Sequence, residues 1–329
     1  MNGAARTWGV VLAAGEGSRL ASLTRDAAGH AVPKQFCSLN GGSSLLQEAI
    51  QRARQVVAPE RTCAIVAKQH ARHWRKALGS LPEGNIIIQP QNRGTAHGVL
   101  LCVLSILERD PLARIIFLPA DHFVLDESAL QRSLRELATS LAHNPDGISL
   151  IGIAPDEPDP ELGYIVPGRT LSDGSRTVAR FVEKPAAPFA DELFEKKALW
   201  NSFIFGATGT ALLALLRLQL GTAVEEMATA LAHAVREADS AALAELYERL
   251  PSVDFSRSVV QQFPSRLRVI TAPACGWSDL GTPRRVAETV RRLIEQAPTP
   301  TPARCRLRPW NSHGLINLAA QHARLALAG

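Results

Sequence analysis

The sequence predicts an α/β fold of the doubly wound kind, a mostly parallel sheet covered by helices on both faces. Three observations carry that reading. Short apolar runs alternate with longer amphipathic ones through the first 155 residues. The short runs are continuously apolar, as in strands buried on both sides, and do not alternate polar with apolar. A turn with two close glycines, Gly15 and Gly17, follows the first run, where open α/β sheets place ligands.

Taken in order, Gly9–Leu12 reads as the first strand and Leu45–Val57 as a helix with apolar residues at helical spacing. Cys63–Val66 and Asn85–Ile88 are strands, with a helix over His70–Leu78 between them. Thr95–Glu108 is a largely apolar helix, Ile115–Leu118 a buried strand ending at Pro119, Glu127–Ala142 a helix and Ile148–Ile153 a strand. The character then changes. Gly163–Val166 and Thr177–Val182 flank a turn at Asp173-Gly174, which predicts an antiparallel excursion. A strand over Ser202–Ala207 precedes three helices, Thr210–Leu220, Ala223–Ala238 and Ala241–Leu250. Leu267–Thr271 is a late strand and Pro283–Gln296 a closing helix.

Composition limits the function classes. A 329-residue chain with 46% hydrophobic and 20% charged residues has an ordinary globular make-up, large enough to fold without a metal or disulfide staple. The net charge of +5 comes without a dense Lys/Arg run, and aromatics are 5%, which suits an anionic small molecule at least as well as nucleic acid. Cys37, Cys63, Cys102, Cys275 and Cys305 are odd in number, widely spaced and free of any C-x-x-C pair, so a reducing compartment is expected. No apolar stretch approaches the ~20 residues of a membrane span. Trp8–Ala14 is followed at once by Gly15, Glu16 and Arg19, unlike a cleavage region, so the expected location is the cytoplasm.

Three constellations can carry chemistry. In Ala13-Ala-Gly-Glu-Gly-Ser-Arg-Leu20, Gly15 and Gly17 allow backbone N–H groups to turn toward one anion, and a helix starting there would add its positive end. Neither a Walker loop nor the dinucleotide fingerprint fits, and an ordinary strand–helix turn is the competing account. Arg19 beside such a nest can fork onto phosphate oxygens. Lys34, in Pro33-Lys-Gln-Phe36, is either a solvated loop lysine or a second phosphate-binding cation. Asp121 lies just past an apolar strand, and Asp279 sits in the glycine-rich Gly276-Trp-Ser-Asp-Leu-Gly281 turn. Brought together, the two carboxylates can hold Mg²⁺, which needs only one or two of them besides phosphate and water. For Asp121 alone, a helix-capping or turn role is the competing account. His70 and His73, three apart on a helix, read as a solvated face. Trp200, Trp277 and Phe205 read as packing residues.

These strings resemble the sugar-1-phosphate nucleotidyltransferases, and most the mannose-1-phosphate guanylyltransferase branch. The matching segments run in order: Leu12–Leu20, Pro33–Phe36, Asn92–Ala96, Pro119–His122, Leu162–Ile165, Phe181–Pro185, Leu199–Ser202, Leu250–Val253 and Gly276–Gly281. They cover about residues 8–290. The resemblance implies a Rossmann-like sheet with an antiparallel sugar-binding excursion and a helical C-terminal part. It implies a domain over 1–297, with a nucleotide-binding half at about 1–155 and a sugar-phosphate half at 156–297. A Pro-rich linker and short tail would follow over 298–329. The implied reaction joins an NTP to a hexose 1-phosphate and releases pyrophosphate, with GTP and mannose 1-phosphate as the leading pair.

Roles follow residue by residue from the resemblance. Ala13, Ala14, Gly15, Glu16, Gly17, Ser18, Gln89, Gly94 and Thr95 would bind the nucleotide. Arg19 and Lys34 would stabilise the triphosphate and the leaving pyrophosphate, and Lys184 would hold the sugar phosphate. Gly163, Glu183 and Asn201 would orient the sugar, and Asp121 and Asp279 would bind Mg²⁺. A second copy of the chain is a candidate partner; nucleic acid and membrane are not. Departures bear on the substrate. Gln89 stands where the branch commonly has Glu, and Ser256 and Gln261 replace acidic positions. Two alternatives are therefore a UTP- or dTTP-using enzyme and an inactive regulatory paralogue that binds an NDP-sugar. The tail, with Arg304, Arg306, Arg308, Trp310 and His313, reads as a loose basic terminus or a docking segment with one short helix near Leu315–Leu327.

Overall fold

The computed structural model describes residues 6–296 apart from residue 27, so the expected linker and tail lie outside the described residues. Nine strands form one mixed sheet: β1 (Thr7–Ala13), β2 (Thr62–Ala67), β3 (Ile86–Gln89), β4 (Arg114–Pro119), β5 (Ile148–Ile153), β6 (Tyr164–Thr170), β7 (Arg176–Val182), β8 (Leu199–Thr208) and β9 (Leu267–Thr271), in the order β3-β2-β1-β4-β8-β5-β9-β7-β6. The first four strands are parallel throughout. Beyond β4 the pairing is antiparallel except between β5 and β9. Parallel order thus holds in the first half, and the antiparallel part is larger than the single excursion expected.

The sheet is buried on both faces because its strands alternate between two cores. Trp8 and Val10 of β1, with Ile115 and Phe117 of β4, face α3 (Gly94–Leu107), α6 (Gly209–Leu220), α7 (Ala223–Glu237) and α8 (Ala241–Arg249). Val11 and Ala13, with Ile116 and Leu118, face α1 (Leu45–Arg54), α2 (Ala71–Ala77), α4 (Glu127–Ser140) and α5 (Ala187–Glu195). Helix ends are marked by local chemistry. Ser44 and Gln47 form a capping box on α1, and the Asp126 carboxylate caps α4 by accepting from Ala129 N–H at 3.0 Å. No helix among the described residues is long and apolar enough to cross a membrane.

One departure from a regular sheet creates the site. Strand β8 shares a single edge between two partners: β4 along Phe205–Thr208 and β6 along Leu199–Trp200. Between them lie Asn201, Ser202 and Phe203, the last with φ of 57°, a left-handed conformation uncommon for a bulky side chain. Because β6 also pairs with β7, the strands β8, β5, β9, β7 and β6 close into a ring. The sheet is therefore split where β4 ends and the ring begins. α10 (Pro283–Gln296) packs outside this seam in a smaller third core with Leu20, Phe123 and Leu280.

Candidate active site

A cavity of about 480 Å³ occupies the split. Its floor comes from the ends of β1 and β4 through Leu12, Ala14, Gly15, Pro119 and Asp121. The β3–α3 segment supplies Gln89, Gly94, Thr95 and Gly98, and the ring supplies Gly163, Glu183, Lys184, Asn201 and Phe203. Arg19, Asp121, Lys184 and Asp279, which lie far apart in sequence, all line this one space.

The glycine loop is shaped from below. Gln35 Nε2 donates to the carbonyls of Ala13 (3.0 Å) and Gly15 (2.8 Å), drawing those acceptors away from the space where an anion would sit. Gly17 has φ of 64°, and an added Cβ would lie 2.9 Å from Lys34 N. The expected helix does not start here: Ser18–Leu20 is a three-residue 3-10 turn, too short to supply a helix dipole. Ala13 is buried behind the loop. Glu16 and Gly17 face a neighbouring recess, where Glu16 accepts from Gln69 Nε2 (2.7 Å) and lies 3.6 Å from His70 Nε2. His70 is accordingly buried, and His73 stacks on Phe36, so these histidines are not the solvated pair expected. Among the described residues no group of three or more His, Cys, Asp or Glu forms a metal cluster.

Lys34 is 5% exposed and does not line the cavity. Its ammonium donates to the carbonyls of Asp279 (2.6 Å) and Leu280 (3.3 Å) and pairs with Asp121 Oδ2 at 3.0 Å. The three contacts tie the end of β4 to the 276–281 turn. Arg19, by contrast, is exposed and pairs with Glu161 at 3.3 Å, a contact weak enough for a phosphate to replace. Lys184 is exposed, with a left-handed backbone at φ of 48°.

Electrostatics divide the carboxylates. Burial raises the Asp121 carboxyl, but Lys34 and then His122 pull it further down, so it stays below its ordinary range. Burial drives the His122 imidazole down to about 4, against the pull of Asp121, so it is neutral at pH 7. Glu183 behaves oppositely: burial and the Asp254 carboxylate push it up to about 7, against Lys184 and Arg257. Gln261 accepts from Glu183 N–H at 2.7 Å, and Ser256 bonds the carboxyl. Asn201 N–H donates to the Gly163 carbonyl (2.8 Å), and its side-chain oxygen accepts from Phe203 N–H (3.1 Å). Asn201 is thus a strand residue shaping the seam.

On the other wall, Gln89 is 2% exposed and its Nε2 donates to the Gln91 carbonyl at 2.6 Å. A carbonyl only accepts, so the amide is oriented with Oε1 toward Gly98. Gly94 has φ of 80°, and an added Cβ would stand 2.2 Å from the Val253 carbonyl oxygen. Thr95 Oγ1 accepts from Phe255 N–H at 2.7 Å, locking α3 to the short α9 (Phe255–Ser258).

Sequence reasoning missed Gln35, His122, Glu161, Asp254 and Arg285 as parts of this region. Gln35 and His122 left a signal, each standing beside a named site residue, Lys34 and Asp121, within a matching segment. The donor set at Asp121 and Asp279 suits a hard divalent cation: two carboxylates on one cavity, with Asp279 Oδ1 buried and without a hydrogen bond. The arrangement can collect two anions against fixed cations and carboxylate-bound metal, with no Ser or Cys nucleophile needed.

A sequence model described as nucleotidyl transferase matches residues 8–296. A mannose-1-phosphate guanylyltransferase of Salmonella typhimurium is 29% identical over 281 residues, 83% of this chain and 56% of that protein. One of Klebsiella pneumoniae is 34% identical over 209 residues, 60% of this chain and 41% of that protein. Among solved structures, a Thermus thermophilus protein described as a mannose-1-phosphate geranyltransferase gives a TM-score of 0.72 at 29% identity, over 86% of this chain and 79% of that one. The chain spans little more than half the length of the curated relatives that match most of it.

Proposed function

Because this chain belongs to the nucleotidyl transferase family, we propose that it transfers a nucleotidyl group from an NTP to a hexose 1-phosphate and releases pyrophosphate. GTP and mannose 1-phosphate are the leading pair, in line with the names of the relatives. The observation that carries the reading is the convergence of Arg19, Lys184, Asp121 and Asp279 on one cavity that also holds Gln89 and Glu183.

The sugar phosphate is its own nucleophile. One of its oxygens attacks the α-phosphorus in line, a new P–O bond forms, and the bond to the bridging oxygen breaks with its electron pair going to pyrophosphate. No proton need be removed, so the site requires positioning and charge more than a base. The Gly15 loop, with its carbonyls held back by Gln35, offers N–H groups to the triphosphate. Arg19 exchanges Glu161 for phosphate oxygens and absorbs charge on the leaving group. Lys184 holds the sugar phosphate, and Glu183, Asn201 and the Gly163 backbone orient the sugar hydroxyls. Asp121 and Asp279 would hold Mg²⁺, which supplies neutralising charge to the phosphates when bound. Lys34 acts behind them by keeping Asp121 anionic and joined to the turn.

Gln89 bears on base choice. Its oriented Oε1 can accept from guanine N1–H or from uracil or thymine N3–H, whereas adenine and cytosine present a lone pair at that position. This favours a second reading, a UTP- or dTTP-using enzyme, over any adenylyl or cytidylyl transfer. A product assay with four NTPs, several hexose 1-phosphates and Mg²⁺ tests the proposal. GDP-mannose is the expected product. Robust dTDP-glucose without GDP-mannose would replace the substrate pair, and no pyrophosphate from any pair would leave the NDP-sugar-binding regulatory reading.

A further inference from the structure

Behind the cavity wall one buried cation joins two parts of the site. Arg285 of α10 is 7% exposed, and its guanidinium lies 4.7 Å from the centroid of the Trp200 ring. Its Nε donates to Asp159 Oδ2 at 2.9 Å, and Nη2 lies 2.7 Å from the same oxygen. Nη1 lies 3.5 Å from Asp279 Oδ1. That oxygen makes no hydrogen bond, while Oδ2 packs against Gly281, where an added Cβ would stand 2.2 Å away. Among the described residues, Arg285 is the cation paired with the Asp279 carboxylate. Asp159 is in turn fixed: its N–H donates to Tyr164 Oη at 2.7 Å, and its Oδ1 accepts from Glu161 N–H at 2.7 Å.

We propose that Arg285 is a positioning residue for the divalent-cation site, aiming the Asp279 carboxylate into the cavity from a guanidinium anchored on Asp159 and Trp200. The inference rests on the reading of Asp121 and Asp279 as metal carboxylates. Its physical basis is the shape of guanidinium. A planar guanidinium bonded through Nε to Asp159 and lying over Trp200 is held in one orientation, so Nη1 is a positioned point charge. At 3.5 Å it attracts Oδ1 without a hydrogen bond, so the oxygen is oriented while its lone pairs stay unspent. Such outer partners commonly set metal affinity as strongly as a weak ligand does. The alternative is that Arg285 is only a structural ion pair. A positive charge beside a carboxylate also repels a divalent cation, so its simple removal would then leave metal binding unchanged or tighter. The two accounts predict opposite signs.

The experiment uses the whole chain with Mn²⁺ as the probe, read by loss of the free-ion EPR signal without substrate. Arg285→Met is expected to weaken Mn²⁺ binding about tenfold or more, with Arg285→Lys between it and the unmodified chain. Asp159→Asn, which loosens the anchor without touching the cavity, is expected to weaken it in the same direction. Circular dichroism and thermal melting monitor folding, and if Arg285→Met does not fold, Asp159→Asn decides. Mn²⁺ affinity equal to or above that of the unmodified chain in the folded variants overturns the proposal. Asp279→Ala separates the two readings: if it binds Mn²⁺ as tightly as the unmodified chain, or if the unmodified chain binds none, the metal assignment itself fails.

Discussion

Glu183 is the residue whose charge state is least set by its type. With its carboxyl raised to about 7, it is part protonated near neutrality, when a free glutamate would be fully ionised. The neutral Ser256 and Gln261 touch it without adding negative charge beside Asp254, which gives a physical role to two positions where acidic residues were expected. The folded chain holds this proton more tightly than the unfolded chain, so stability falls as pH rises from the unfolded value through about 7 and is level above it. Glu183→Gln removes that loss. Its stability relative to the unmodified chain should rise by up to about 3 kcal/mol between pH 4 and pH 8, measured by guanidinium denaturation at both. A gap independent of pH would contradict the raised carboxyl.

Among the strands and helices, periodicity predicts nearly every one because burial acts locally along each segment. The exceptions are informative. α5 (Ala187–Glu195) was not expected, since Pro185 and Pro188 mark its start as a loop, yet Pro188 sits in its first turn, where no N–H is required. β8 begins at Leu199, three residues before the expected strand, because its first residues are held by pairing with β6, a partner distant in sequence. The start of α3 is more constrained than its apolar pattern implies. Gly94→Ala would force a side chain into the Val253 carbonyl at a left-handed position, so a loss of more than about 2 kcal/mol is expected, measured by urea denaturation. A stable variant would mean that the contact between Gly94 and the Val253 backbone yields easily.

Across the folded chain, the site is a seam between a parallel half and a strand ring, and Lys34 closes it. Lys34→Met would leave Asp121 without its cation and two carbonyls of the turn without a donor. A stability loss of about 3 kcal/mol is expected, together with weaker Mn²⁺ binding. An unchanged melting temperature would remove the clamp. The place of Lys184 came only from the family resemblance, whereas the α/β class, the positions of most strands and the anion- and cation-binding chemistry offered by Arg19, Asp121 and Asp279 were legible in the residues alone. These are local properties, carried by apolar period, glycine turns and residue type. Long-range packing was needed to show that Lys34 is spent on protein oxygens, that Asn201 is a strand residue at a split in the sheet, and that Arg285 stands behind Asp279. Each of those depends on partners distant in the chain, 245 positions away for Lys34 and Asp279, which meet only because packing brings them within reach of a charge or a hydrogen bond.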